Sequence, residues 1–249
     1  MDFEFSGEQN EFRRMVREFV ANEVVPLVDK AEEEQRFPVE LFPKLGELGL
    51  LGIDFPEEYG GAEYDKVMEC IFIEEISKVC AGIAASIDAH VDLYCYPVCK
   101  FGTEEQKQKY LVPAIAGEKI GAYAITEPGA GSDVSAMETT AVRKGDVYVL
   151  NGTKLFITNG SICDSVLVAA YTDKDKGREG VSLFIVEKGT PGFQVTRKVE
   201  KMGHHSSDTA ELVFEDCEVP AENLLGGEEG KGWGQLFAAL ENGRISLAI

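Results

Sequence analysis

Lys119–Asp133 reads Lys-Ile-Gly-Ala-Tyr-Ala-Ile-Thr-Glu-Pro-Gly-Ala-Gly-Ser-Asp, and the organisation of the chain turns on it. Before Lys119 the apolar residues recur at helical spacing; after it they fall in short runs bounded by turn residues. Ile120–Ile125 reads as an apolar strand that runs into a loop with Pro128, Gly129 and Gly131. Proline fixes one turn dihedral, whereas glycine permits left-handed backbone and lets a flat ligand come close. Thr126 and Ser132 add hydroxyls to a row of backbone N–H groups, which would cradle a ring carbonyl or a phosphate. By itself such a loop is more often only a turn.

On the N-terminal side, Ser6-x-x-Gln9 is a capping-box start, and Phe12, Met15, Val16, Phe19 and Val20 follow at helical spacing to about Glu33. Phe37-Pro38 opens a shorter helix with Leu41, Leu45 and Leu48, closed by Gly49 and Gly52. Residues 65–81 and 86–100 are rich in apolar residues and read as buried helices, and Thr103-x-x-Gln106 caps another that ends near Gly117.

On the C-terminal side, Lys144-Gly-Asp146, Asn151-Gly152, Asn159-Gly160 and Lys188–Gly192 separate strands near 147–150, 154–158, 165–171, 181–187, 193–197 and 209–214. Asn-Gly between strands predicts hairpins, hence an antiparallel sheet or open barrel. After the Gly-rich stretch 223–232, Trp233, Leu236, Phe237, Leu240 and Leu247 restart a helical stripe. The expected fold is α+β: a helical domain 1–118, a barrel-like β domain 119–227, and one helix over 228–249.

The 249 residues carry a net charge of −20, which argues against nucleic acid or an anionic membrane surface as partner. No apolar run approaches a membrane span, and the chain reads as cytoplasmic. Its six cysteines sit mostly in apolar segments and are expected as reduced, buried thiols. No His/Cys spacing suggests a metal: Cys95 and Cys99 lack further ligands, and His204-His205 lacks a third.

A second stretch, Lys154-Leu-Phe-Ile-Thr-Asn-Gly160, pairs with the first. Together with Lys201-Met-Gly203, Ser207-Asp-Thr209, Val213–Pro220, Asn223–Gly226 and Gly243-Arg244, in that order, it resembles the acyl-CoA dehydrogenases. That resemblance implies FAD as cofactor, an acyl-CoA thioester as substrate, electron-transfer flavoprotein as acceptor, and a homotetramer in the full-length enzyme. It implies the family's helical and β domains, with only the first helix of a second helical domain; the chain would then be a fragment or a truncated product.

Desaturating a thioester needs a base for the α-carbon and an acceptor for the β-hydride, which amino acids cannot be. By resemblance, Tyr123, Ala124, Ile125, Thr126, Gly131 and Ser132 hold the flavin pyrimidine edge. Phe156, where many relatives have Trp, packs on the ring with Ile157 and Thr158 beside it; the plainer alternative is a core strand aromatic. Ser132, Arg178, Glu241 and Arg244 are expected at the CoA arm. Glu241 and Arg244 share a helix face at i,i+3, although such spacing is commonly a surface ion pair. One branch of the family carries its base immediately before this Arg, and here that residue is Gly243. The usual glutamate base is therefore absent from the chain. Asp88, His90 and Asp92 interrupt the apolar helix that lines the family's acyl pocket, and a buried carboxylate must be paired, protonated or catalytic. Asp92 is the alternative base, which would suit a cyclohexene-carboxyl thioester; the other reading is a helix Asp satisfied by hydrogen bonds. Short-chain or alicyclic acyl groups are the expected substrates, and a weakly binding, inactive fragment is the non-enzymatic alternative.

Overall fold

The computed structural model describes residues 4–249. Ser6 caps the first helix as expected: Gln9 N donates to Ser6 Oγ at 3.1 Å and Ser6 N donates to Gln9 Oε1 at 3.0 Å. Helix α1 (Gly7–Phe19) continues through a π-helical turn, Val20–Val24, into α2 (Val25–Glu33). The short α3 (Leu41–Glu47) and α4 (Lys66–Ser77) follow. Next, α5 (Ala81–Asp88), a π-helical stretch Ala89–Cys95 and α6 (Tyr96–Phe101) form one continuous rod. The Thr103 cap starts α7 (Glu104–Gln106), which passes through Lys107–Leu111 into α8 (Val112–Ile115).

Seven strands follow: β1 (Gly121–Ala124), β2 (Thr140–Lys144), β3 (Val147–Thr158), β4 (Ser165–Tyr171), β5 (Val181–Glu187), β6 (Phe193–Lys198) and β7 (Thr209–Pro220). They form one sheet in the order β1-β4-β2-β3-β7-β6, with β5 also on β4. The sheet is mixed, because β1 and β2 both pair parallel with β4. Of the turns expected to make hairpins, Lys144-Gly-Asp146 does so, between β2 and β3. Asn151-Gly152 instead lies inside β3 as a bulge. A Cβ on Gly152 would stand 2.7 Å from Thr139 Cβ, so close backbone approach, not a turn, explains this glycine. Asn159 (φ 63°) leads β3 away towards a strand it does not pair with, and its Nδ2 donates to Ser86 O at 2.8 Å.

Two apolar cores explain the strand sequences. Tyr123, Leu167, Ala169, Leu183 and Ile185 pack with the helices, whereas Ala122, Ala124, Val166, Val168 and Phe184 fill the inside of the curled sheet. Strands buried on both faces read as continuous apolar runs, and β4 is buried at every position. Helix α9 (Gly232–Leu247) lies against the rod and β5, setting Leu236 and Ala239 into the helical core. All six cysteines are free. Among the described residues no helix is long and apolar enough to cross a membrane.

Candidate active site

The two quoted stretches meet where β1 and β3 leave the sheet. Leu155 N donates to Thr126 O at 2.8 Å, tying the loop after β1 to the end of β3. The loop closes on itself through Glu127 and Ala130, whose N–H and C=O groups exchange bonds of 2.9 and 3.1 Å. Neither Gly129 nor Gly131 adopts positive φ, so left-handed backbone is not their role; each has open space where a Cβ would stand. An approaching ligand meets no side chain there. The N–H groups of Thr126, Gly131 and Ser132, and the hydroxyls of Thr126, Ser132 and Thr158, meet no partner among the described residues.

Phe156 is the most informative residue at this junction. It sits at a register shift of the β3–β7 ladder with φ 60°, a conformation rarely adopted by a bulky residue. The residue is also 59% exposed. Among the described residues Phe156 is therefore not packed into a core, and its strained backbone turns the side chain to solvent. Beside it lies a cavity of about 160 Å³ lined by Leu93, Tyr123, Thr126, Phe156, Thr158 and Leu240, with Ile125 and Ile157 also in its wall. Tyr123 is buried, its hydroxyl donating to Leu236 O at 3.3 Å, so the side chain is a wall and not a polar contact. Ala124 points into the sheet core and brings only backbone to the site.

The remaining expected residues separate into three groups. Arg178 stacks on Trp233, with Cζ 4.8 Å from the ring centroid. It lies near the cradle: Ser135 bonds first, and then the Arg178 charge, hold the Asp133 carboxyl below its ordinary range. Glu241 and Arg244 are exposed on α9 and form no ion pair with each other among the described residues, leaving both charges available.

Asp92 is buried and heavily bonded. Its Oδ1 accepts from Lys66 Nζ and Asn242 Nδ2, both at 2.7 Å, and its Oδ2 accepts from Ser246 Oγ at 2.7 Å. Three donors from two other helices match an ion-paired structural carboxylate, not a base open to substrate. His90 is likewise structural: Nδ1 accepts from Gly121 N at 2.9 Å, which leaves Nε2–H to donate to Ala114 O at 3.1 Å. Burial keeps this imidazole neutral, pushing it down to about 4.

Glu69 and Asp88 complete a group with Asp92 whose carboxylate oxygens lie within 4.8 Å of one another. Burial, then the charge of Asp92, pushes Glu69 up to about 9 and Asp88 up to about 8. Asp88 lines a second cavity of about 320 Å³ with Ala84, Ala85, His204 and Ser246. Sequence reasoning passed over Lys66 and Glu69, although a lysine and a glutamate at i,i+3 in an apolar helix should have signalled a partner for a buried acid.

Comparison with known proteins agrees with this geometry. The models of the acyl-CoA dehydrogenase N-terminal and middle domains match residues 6–118 and 122–217. The chain belongs to the acyl-CoA dehydrogenase family. It is 49% identical to the short-chain specific acyl-CoA dehydrogenase of Clostridium acetobutylicum, over all of this chain and 65% of that protein. Among solved structures, butyryl-CoA dehydrogenase from Megasphaera elsdenii superposes with TM-score 0.94 at 44% identity, covering 99% of this chain and 65% of that one. A chain from the structure of the electron transferring flavoprotein of Acidaminococcus fermentans gives TM-score 0.95 at 48% identity, covering 99% and 64%. The chain thus spans about two thirds of the length of these relatives. Acyl-CoA dehydrogenases are FAD-dependent flavoproteins. The unpaired donors of the cradle and the outward ring of Phe156 fit a flat, hydrogen-bond-accepting ring.

Proposed function

We propose that this chain forms the flavin- and thioester-facing part of a short-chain, FAD-dependent acyl-CoA dehydrogenase. The observation that carries the reading is the junction of unpaired donors and the strained, exposed Phe156 beside a cavity of about 160 Å³. FAD, when bound there, supplies the hydride acceptor that amino acids lack. Thr126, Ser132 and Thr158 would hold its polar edge, and Phe156 would cover its ring. A cavity of about 160 Å³ walled by Leu93 and Leu240 suits a short acyl chain. Ser132, Arg178, Glu241 and Arg244 would meet the polar CoA arm, Arg as donor and Glu as acceptor.

Gly243 stands in the candidate position on α9 and offers no base there; a Cβ at this position would meet Leu93 and Asp92. The name of the Acidaminococcus neighbour supports electron-transfer flavoprotein as acceptor. The homotetramer and the cytoplasmic location inferred from sequence remain part of this proposal. For an alicyclic substrate the supporting observation is the acid group next to the second cavity. The carboxyl facing that space is Asp88, whereas Asp92 is enclosed by its donors.

The test is the visible spectrum of the purified chain, recorded anaerobically with FAD and then with butyryl-, glutaryl- or cyclohexene-carboxyl-CoA. Bound flavin that shifts its bands with butyryl-CoA supports the short-chain reading. Bleaching would mean that a base is present after all. A response to the cyclic ester alone would favour the alicyclic reading, and a chain that holds no flavin is the inactive piece.

A further inference from the structure

We infer that Lys154 is a positioning residue that aims and polarises the Thr126 amide, making it the cradle's strongest backbone donor. The inference rests on the flavin-site reading above for the identity of the acceptor, but its geometry is independent of it. Lys154 lies in β3 with its side chain fully buried. Its ammonium donates to Ile125 O at 3.0 Å and to Glu127 Oε1 at 2.8 Å, and lies 3.2 Å from Met137 Sδ. A lysine has three donor hydrogens, so these contacts use all of them.

The consequence follows from peptide geometry. No peptide bond among the described residues is cis, so the C=O of Ile125 and the N–H of Thr126, two ends of one planar unit, point in opposite directions. Holding that carbonyl inward on Lys154 turns the Thr126 N–H outward, on the residue that lines the cavity. The next peptide is anchored as well, because Thr126 O accepts from Leu155 N. Both peptide planes flanking Thr126 are thus fastened to β3, one by an ammonium and one by a main-chain amide.

Orientation is half of the effect. A positive charge on the carbonyl end draws electron density through the amide and strengthens its N–H as a donor. Such a donor gains most when its acceptor becomes negative, as the flavin pyrimidine edge does on reduction. Glu127 offsets the ammonium, but the same Oε1 also accepts from Thr139 Oγ1 (2.5 Å) and Thr139 N (3.0 Å), and Oε2 accepts from Glu138 N (2.6 Å), so the carboxylate's charge is shared among several donors. Glu127 is the charged group that the described residues set against Lys154. Burial pushes Lys154 down to about 8, with Glu127 opposing the fall, so the ammonium form is the one present at neutral pH.

The first measurement needs no ligand. In ¹⁵N-labelled chain the Thr126 amide shift should follow a titration with a midpoint near 8, that of Lys154. In Glu127→Gln, where the counter-charge is gone, the midpoint should move lower. In the near-isosteric double variant Lys154→Met/Glu127→Gln the titration should vanish. With FAD added, the double variant should lose about tenfold more affinity for the reduced than for the oxidised form, a fall of about 30 mV in the two-electron potential. A buried pair that only holds the loop together would lower the melting temperature and leave both readouts where they are. A Thr126 amide indifferent to Lys154 overturns the inference, as does an unchanged potential in a double variant that binds FAD. A wild-type chain that holds no FAD while Thr126 still tracks Lys154 fails the cofactor reading and upholds the orientation of the amide.

Discussion

The Ser246 hydroxyl of α9 stands 2.7 Å from Asp92 Oδ2 on the helical rod and also 2.7 Å from Glu69 Oε1 on α4. One hydroxyl has one proton, so it can satisfy only one of the two oxygens at a time. The other must be met by a proton on a carboxyl group or, for Glu69 Oε1, by Lys66, whose Nζ also reaches Asp92 Oδ1. Asn242, one turn earlier on α9, adds a further bond to Asp92. A polar clamp therefore joins three helices, and it holds the helix that presents Glu241 and Arg244.

Removing the hydroxyl should loosen that clamp. Ser246→Ala is expected to cost about 1–3 kcal/mol, the penalty for leaving a buried polar group unsatisfied. Equilibrium urea unfolding would give the loss, and amide exchange over 232–247 should accelerate more than exchange in β4. Uniform acceleration across the chain would mean that Ser246 contributes to global stability and not to holding α9.

The acid group sets a pH dependence with a definite sign. Glu69 and Asp88 are raised to about 9 and about 8 in the folded chain, far above their values in an unfolded one. Between about pH 4 and pH 8–9 the folded state therefore holds more protons than the unfolded state, and stability falls as pH rises through that window. Asp54, which burial also raises, acts in the same direction. Melting temperatures measured at pH 6 and pH 8.5 should differ in favour of pH 6, and Asp88→Asn should narrow the gap.

Phe156 should show function and stability pulling apart. Truncating a large aromatic in a core typically costs about 3–5 kcal/mol. Here the ring is exposed and the backbone strained by roughly 1–3 kcal/mol, while glycine brings an entropy cost of about 0.5–1 kcal/mol. Phe156→Gly is thus expected to leave folding stability within about 1 kcal/mol of the parent or raise it. Its affinity for FAD, followed by fluorescence quenching, should fall by roughly tenfold, about 1.4 kcal/mol. A large loss of stability would return Phe156 to the core.

Arg244 and Glu241 offer a separate test of the substrate end. Both are exposed and form no ion pair among the described residues, so Arg244→Gln should change stability by less than about 0.5 kcal/mol. Binding of a CoA thioester to the FAD-loaded chain should weaken several-fold, and the loss should shrink at high salt as screening removes the charge term. Equal binding by both forms across the salt range would remove Arg244 from the proposed CoA contact.

Sequence alone determined the elements whose signals are local. The Ser6 and Thr103 capping boxes, the buried helices and the helix-to-strand change after residue 118 depend on neighbours a few residues apart, and the side-chain period reports them directly. The ordered motifs named the family, and they brought Thr126, Phe156 and Thr158 forward as one site. What tertiary structure decided depends on contacts between distant segments. Parallel pairing of β1 and β2 with β4, and the bulge at Gly152, come from which strands lie side by side, and a turn dipeptide carries no record of that. The role of Asp92 was equally hidden, because its donors lie 26, 150 and 154 residues away. Whether a buried carboxylate is a base or an anchor depends on what reaches it, and only the packing of α4 and α9 on the rod brings Lys66, Asn242 and Ser246 to Asp92.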